Sequence, residues 1–231
     1  MSHFTASNDE EKWDVTMKSN LLLADDEIVK QELLALGLSL EKLRTVVKAA
    51  DLQRALCSPN HPRGFDLITM NAEVARFLRD AFCGEDWQKY EKENQPGIIS
   101  SSRKMVIVPC NFDRYCADPH SSPTNLKLKG RISEKNAVCN STPWLFDPEL
   151  YDDQLPEDEY ARWVLGSYYC NDTERLFAEL SLPSGFGCGQ YTTFKHRIPV
   201  LLAAESSDSV NLNQDLAKDS TEEIDISVSR K

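Results

Sequence analysis

The chain has 231 residues, 41% hydrophobic and 27% charged, which gives enough apolar material for a buried core and excludes a globally disordered protein. Its formal net charge of −11 repels polyphosphates and anionic lipids at long range, so nucleic-acid binding would need a local basic patch. The start is polar, Leu21–Leu23 is too short to span a bilayer, and the seven cysteines are scattered. We therefore expect a cytoplasmic protein with reduced thiols and no membrane contact.

The first third of the chain predicts helices, over 25–90, after a flexible lead-in at 1–24. Asp25 and Asp26 supply a cap and favourable charge for a short helix, which Gly37 ends in a left-handed turn. Ser39 caps a second helix. A third helix at 66–82 has a single apolar stripe, formed by Leu67, Met70, Val74, Phe77, Leu78 and Ala81.

The rest of the chain predicts strands, at 105–108, 163–169, 175–182 and 194–202. Turn residues between the last three favour an antiparallel meander, whereas 111–143 indicates a long loop. The expected fold class is α+β, with the N-terminal helices packed on one face of a mainly antiparallel sheet of about four strands. A single domain would then cover 25–203, with its sheet-forming part at 97–203, and a disordered acidic tail would follow at 204–231.

Four segments carry a likeness to known proteins. They are Cys-Ser-Pro-Asn-His-Pro at 57–62, Val-Ile-Val-Pro-Cys-Asn-Phe-Asp at 106–113, Pro-Thr-Asn-Leu-Lys-Leu-Lys-Gly at 123–130 and Ala-Glu-Leu-Ser-Leu-Pro at 178–183. Together they resemble a family of uncharacterised bacterial proteins. The resemblance implies a setting in antiviral defence or in a mobile genetic element, and it brings no activity or catalytic residues. Asp113 stands alone where the family pattern has two carboxylates, which weakens a metal or phosphate role.

A basic loop at 127–135 is the clearest electrostatic feature. Lys127, Lys129 and Arg131 form a candidate anion-binding site, opposed only by Glu134, and Gly130 lets a ligand approach the backbone. A nucleotide or a nucleic acid is the ligand that this hypothesis implies. The alternative is that these cations balance the acidic stretch 147–160 or are simply solvated, since the loop lacks the glycine spacing of known phosphate-binding motifs.

That acidic stretch holds seven Asp and Glu residues and no basic residue. The aromatic side chains within and beside it form a candidate partner-binding surface, because aromatic anchors supply interface energy while charges steer the encounter. These side chains are Trp144, Phe146, Tyr151 and Tyr160. The alternative is ordinary solvated charge.

Thiols and imidazoles could in principle form a reactive or metal site, although their spacing does not favour one. A structural zinc site would need two pairs of ligands at tight spacing, whereas among Cys110, Cys116, His120 and Cys139 only Cys116 and His120 are that close. A nucleophile pair would join Cys110 to His196 or His61. No metal or cofactor is therefore expected.

Two further alternatives involve nucleic acid. A metal-dependent nuclease could use Asp113 and Glu179, but no lysine follows Glu179 at the required position. A helix-turn-helix centred on Gly37 could direct cations to phosphates, namely Lys42, Arg44 and Lys48. A plain helical hairpin packed on the sheet is the competing interpretation.

The leading functional hypothesis is a non-enzymatic binding or regulatory protein that acts through protein–protein interaction. It depends on the missing catalytic signatures, the aromatic-acidic stretch and the family resemblance. The alternative is a protein that binds or processes nucleotides or nucleic acids through the loop 127–135. A charge reversal of Lys127, Lys129 and Arg131 should abolish anion binding under the second hypothesis. Under the first hypothesis it should leave a protein complex intact.

Overall fold

The structure is a computed structural model that describes residues 21–23, 25–84, 86–141 and 160–202. The α-helices in these ranges are α1 (Asp26–Ala35), α2 (Leu40–Ala55), α3 (Phe65–Phe82) and α4 (Arg131–Ser141). The strands are β1 (Gln88–Tyr90), β2 (Gly97–Ser100), β3 (Met105–Asn111), β4 (Ala161–Cys170), β5 (Arg175–Gly187) and β6 (Gln190–Leu201). Short 3-10 turns lie at Leu21–Leu23 and Lys92–Asn94.

The connection between α1 and α2 follows the local sequence signals. Gly37 adopts a φ of +70°, and the Leu38 N–H donates to the Leu33 carbonyl at 2.8 Å, which is a glycine-terminated helix end. Ser39 Oγ then accepts the Lys42 N–H at the start of α2. The predicted turn and the predicted cap are both confirmed.

Two other helix starts use no side-chain cap. Asp25 precedes α1 in an extended conformation without a side-chain hydrogen bond to the helix, so its predicted capping bond is absent. Gly64 precedes α3 with a φ of +78°. The apolar stripe predicted for α3 faces the core, and its fully buried members are Met70, Val74 and Leu78.

Among the described residues the sheet has six strands in sequence order, β1 to β6, of which the β3–β4 pair alone is parallel. The α+β class, the N-terminal helices and the mainly antiparallel sheet are confirmed, whereas the expected strand number of about four is wrong. The two missed strands are β1 and β2, of three and four residues. Strands this short have too few positions for an alternating pattern to be visible in the sequence.

β3 continues past Pro109, where the sequence predicts its end. The Phe112 N–H donates to the Ser167 carbonyl of β4. Backbone groups alternate in direction along a strand, so the backbone nitrogen of residue 109 points away from β4, toward the β2 side. β2 pairs with β3 only as far as Ile107. The missing N–H of Pro109 therefore lies beyond the end of β2, where proline costs no ladder bond.

The β5–β6 hairpin is longer than predicted. The sequence predicts strands at 175–182 and 194–202 with turn residues between them, but most of the glycine-rich stretch 184–189 belongs to β5. Only Cys188 and Gly189 form the loop between the paired residues Gly187 and Gln190, and both loop residues have positive φ. This is the geometry of a two-residue hairpin turn whose twist matches the flanking strands.

The sheet is covered on both faces. α1, α2 and α3 pack on one face, where Trp163 and Leu165 of β4 belong to the first hydrophobic cluster. Val164 points to the opposite face and belongs to a second cluster with Phe112 and Tyr191. α4 contacts β4 and β5 and contributes no residue to the first cluster, so α4 covers the second face of the sheet.

The long loop expected at 111–143 is only partly a loop, because α4 occupies Arg131–Ser141. Three of the four buried residues of α4 are polar, namely Ser133, Asn136 and Asn140. The helix consequently shows no apolar stripe in the sequence, and its type could not be predicted from hydrophobic periodicity. None of the helices that the structure describes combines the length and apolarity needed to cross a membrane.

Candidate functional site

A cleft opens at the carboxyl ends of the parallel strands β3 and β4. We call it the strand-end cleft; it has a volume of about 260 Å³ and lies between these strand ends, α2 and the first turns of α3. Its polar lining comprises Arg54, Asp66, Asn111, Ser167, Tyr169 and Asn171, and its apolar lining includes Met70 and Leu126. Crevices at the carboxyl ends of parallel strands are the usual ligand positions of α/β sheets.

The parallel pairing determines which strand residues meet in the cleft. Asn111, the last residue of β3, is the register partner of Ser167, which lies three residues before the end of β4. The Asn111 side chain is held by its Nδ2, which donates to the Leu67 carbonyl of α3 at 2.8 Å. The loop beyond is tied to the same residue, because the Leu126 N–H donates to the Asn111 carbonyl at 3.0 Å. Strand ends, helix and loop are thus joined around one asparagine.

Arg54 of α2 is held in a defined orientation at the cleft. Its Nε donates to Asp51 Oδ1 at 2.6 Å, and its guanidinium carbon lies 3.6 Å from the centre of the Tyr169 ring. Only 13% of the side chain is exposed. The terminal nitrogens Nη1 and Nη2 donate to no residue in the described part of the chain. Two oriented donors are therefore available to a ligand.

Acceptors line the same cleft. The Asp66 carboxylate, in the first turn of α3, has neither a hydrogen bond nor an ion pair with any residue that the structure describes. Asn111 Oδ1 and Ser167 Oγ likewise lack a hydrogen-bond partner within the described ranges. Convergent polar groups without protein partners are what a recognition site needs, because the ligand can complete their hydrogen bonds.

The three cations of the predicted anion site have different surroundings. Lys127 is exposed, and its Nζ lies 3.9 Å from the position that a Cβ on Gly64 would take. Lys129 is half-buried, and its Nζ is 5.9 Å from the centre of the Tyr191 ring. Arg131 is exposed at the first position of α4. Anion binding by these residues stays a prediction.

Most of the predicted partner-binding surface falls outside the described residues, since Trp144, Phe146 and Tyr151 all lie between 142 and 159. Tyr160 is described and is buried, with 5% of its surface exposed, as part of the second cluster. Lys104 Nζ lies 5.5 Å from the centre of its ring. In this structure Tyr160 therefore packs inside the protein.

The carboxylates considered for a nuclease are used by the fold. Glu179 is fully buried and accepts hydrogen bonds from the Arg197 guanidinium, Ser181 Oγ and the Ala117 N–H. Asp113 stabilises its own turn and accepts from Thr124 Oγ1 at 2.9 Å. Across the described ranges, no three His, Cys, Asp or Glu side chains are placed to hold a metal ion together.

The structure does not assemble the two Cys–His pairs. Cys110 belongs to the second cluster, whereas His196 stacks with Trp163 on the face of the first cluster. His61 stacks on the Phe65 ring at a centroid distance of 4.8 Å. Burial raises the pKa of the Cys110 thiol, which disfavours the nucleophilic thiolate.

The helix-turn-helix alternative loses two of its three cations to internal contacts. Arg44 makes a two-point contact with Asp26, both bonds at 2.9 Å, and donates to the Val200 carbonyl. Lys42 Nζ donates to the Ala81 carbonyl at the end of α3. The α1–α2 pair is therefore tied to the rest of the fold, as expected for a helical hairpin packed on a sheet.

Sequence reasoning missed Arg54, Asp66, Asn111 and Ser167 as site residues. No local motif marks them, because two helices and a long-range strand pairing bring them together. No protein-family model, curated protein or solved structure matches the chain. The resemblance to a bacterial family, and the defence or mobile-element setting that it implies, accordingly stay predictions.

Proposed function

We propose that this protein is a non-enzymatic binding protein, with a regulatory role, that recognises a partner protein through the strand-end cleft. The observation that carries the proposal is that Arg54 Nη1 and Nη2 and the Asp66 carboxylate line the same cleft, and none of them has a hydrogen bond to the described residues. Such groups gain hydrogen bonds on binding without first breaking contacts within the protein.

The size of the cleft favours a partner's side chain over a whole cofactor. Pockets for drug-sized molecules and cofactors usually measure about 300–1,000 Å³. The strand-end cleft, at about 260 Å³, lies below that range. Protein interfaces commonly place one anchor side chain in a small, well-packed pocket, and such anchors carry much of the binding energy.

Apolar side chains beside the cleft supply contact area for a partner. Leu126 lines the cleft and is 45% exposed. Phe65, which is 37% exposed, directly precedes Asp66 at the start of α3. An anchor pocket flanked by exposed apolar groups is the usual composition of an interface core.

The proposal is tested by site-directed cross-linking in the native host. A photo-reactive residue at Leu126 should capture one protein in a stoichiometric complex, and Arg54→Lys should reduce that capture strongly. Arg76→Lys is the matched control, since Arg76 is an exposed arginine on α3 that pairs with Glu73 and Asp80. Capture that is unchanged by Arg54→Lys, or no captured protein at all, would contradict the proposal.

A nucleotide- or nucleic-acid-binding function remains the competing proposal. The exposure of Lys127 and Arg131 favours it, because both cations can reach phosphates from the surface. Reversing the charges of Lys127, Lys129 and Arg131 should abolish anion binding if this function is correct. The same change should leave the Leu126 cross-link intact if the strand-end cleft is the recognition site.

The bacterial defence or mobile-element setting is part of the leading proposal and rests only on the four segments of family resemblance. Its test is the identity of the captured partner together with the neighbouring genes. A partner and neighbours from general metabolism would contradict the setting without affecting the cleft.

A further inference from the structure

We infer that the group which enters the strand-end cleft is a neutral primary amide, the side chain of a glutamine or asparagine on the partner. This inference rests on the proposed function and specifies its chemistry. It follows from which hydrogen-bonding groups on the cleft walls lack partners among the residues that the structure describes, and from the charges that those groups carry.

The first wall offers only donors. Arg54 presents Nη1 and Nη2, while Asp51 and the Tyr169 ring hold the rest of its guanidinium in place. A guanidinium has no acceptor, so the ligand must supply an acceptor oxygen here. A positively charged side chain, such as lysine, would instead lie close to the guanidinium of Arg54, a like charge on a side chain that is only 13% exposed.

The second wall offers mainly acceptors. The Asp66 carboxylate accepts hydrogen bonds and cannot donate while ionised. Asn111 adds its Oδ1, because its Nδ2 is already committed to the Leu67 carbonyl. A ligand must therefore supply N–H or O–H donors on this side. A glutamate or aspartate side chain could accept from Arg54, but it would bring a further carboxylate into the cleft and would offer Asp66 no donor.

A primary amide satisfies both walls at once. Its carbonyl oxygen can accept from Arg54, and its NH₂ group has two N–H bonds to donate to Asp66 and Asn111. It carries no net charge, so it adds no further charge to a cleft in which Arg54 already pairs with Asp51. An apolar side chain of similar size would leave all of these groups unpaired in the bound state, which costs affinity.

The test uses four blocked single-residue probes with a common backbone: the N-acetyl, N′-methyl amides of glutamine, glutamate, lysine and methionine. Binding to the full chain is followed by the NMR shifts of the Arg54 side-chain nitrogens. The glutamine probe should bind wild type at least about tenfold more tightly than each of the others, because each leaves a charged group unpaired or beside a like charge. Equal binding of all four probes, preference for glutamate, or no binding by any probe would overturn the inference.

A charge swap makes the test specific. Asp66→Asn removes the anion and adds donors, so the preference should move from the glutamine probe to the glutamate probe. Asp80→Asn, on the exposed side of the same helix, is the matched control and should leave the preference unchanged. If Asp66→Asn does not change the order of the probes, the inference fails.

The outcome is separable from that of the proposed function. Arg54-dependent capture of a partner through Leu126, without a preference for the glutamine probe, would sink the amide assignment alone. The absence of any captured protein would contradict partner recognition itself, whatever the probes show.

Discussion

Arg197 and Glu179 form a two-point ion pair on the second face of the sheet, with Nε to Oε1 at 3.0 Å and Nη2 to Oε2 at 2.6 Å. Arg197 also donates to three backbone carbonyls of the segment that follows β3, those of Tyr115, Asp118 and Ser121. One arginine thus ties β5, β6 and the 113–122 segment together. This pair is a structural element of the fold, since the donors around Glu179 leave little room for a ligand.

Replacing Arg197 by methionine should destabilise the protein severely. Glu179 is fully buried, and loss of its partner leaves an uncompensated charge, which costs about 3–5 kcal/mol in comparable buried pairs. Urea unfolding measures the change in the free energy of unfolding. Arg76→Met, which breaks an exposed pair worth about 0–1 kcal/mol, is the control. Equal effects of the two substitutions would show that the Arg197 pair is not buried in solution.

Gly166→Ala should also destabilise the protein, through steric overlap. A Cβ at this position on β4 would collide with the ring of Phe112, which is fully buried and cannot move outward. Overpacking of this kind costs about 1–3 kcal/mol. At Gly84 a Cβ would meet no described atom within 4 Å, so Gly84→Ala should have little effect on the thermal midpoint. A harmless Gly166→Ala would mean that β4 and Phe112 are less closely packed than described.

Asn140→Ala should detach α4 from the sheet. The buried Asn140 side chain donates to the carbonyls of Arg162 and Pro183, at 3.0 and 2.8 Å, and accepts the Arg162 N–H. Truncation leaves buried backbone groups unpaired, at a cost of about 3 kcal/mol. Hydrogen exchange at the Arg162 amide should accelerate. Val138→Ala is the control on the same helix, because Val138 is 59% exposed. A slow Arg162 amide in Asn140→Ala would contradict this account of how α4 is held.

Cys170 should be alkylated at a lower pH than the buried thiols. The pKa of Cys170 is lowered mainly by a hydrogen bond from the Thr173 side chain and secondly by one from the Thr173 N–H, because both stabilise the thiolate. Burial raises the pKa values of Cys110 and Cys116. Labelling with iodoacetamide across a pH series, read by mass spectrometry, compares the three sites. Thr173→Val should move the pH dependence of Cys170 alkylation to higher pH. An unchanged pH dependence would show that the Thr173 side-chain hydrogen bond does not lower the pKa of Cys170.

Part of the fold follows directly from local sequence patterns. The stripe of Met70, Val74 and Leu78 predicts α3, and Gly37 with Ser39 predicts the turn into α2, since these signals involve residues three to five positions apart. β1 and β2 were missed because strands of three and four residues are too short to show an alternating pattern. α4 was missed because three of its four buried residues are polar, so it shows no apolar stripe.

The candidate site shows the same limit more strongly. Arg54 and Asp66 are ordinary charged residues in their helices, and nothing near them in the chain distinguishes them from Lys48 or Asp80. Their importance comes from the parallel pairing of β3 with β4, which brings Asn111 beside Ser167 and opens the cleft at the strand ends. The basic loop was visible in the sequence because its cations are adjacent there.

The amino-acid sequence by itself determined the α+β class, the N-terminal helices, the antiparallel meander and the acidic character of this protein. These depend on side-chain periodicity, turn residues and charge, all of which act between near neighbours in the chain. Only the tertiary structure decided that the sheet is covered on both faces, that Glu179 is consumed by Arg197, and that Arg54 and Asp66 share a cleft. Those outcomes depend on contacts between distant segments, because long-range packing determines which polar groups are satisfied inside the protein and which remain available to a partner.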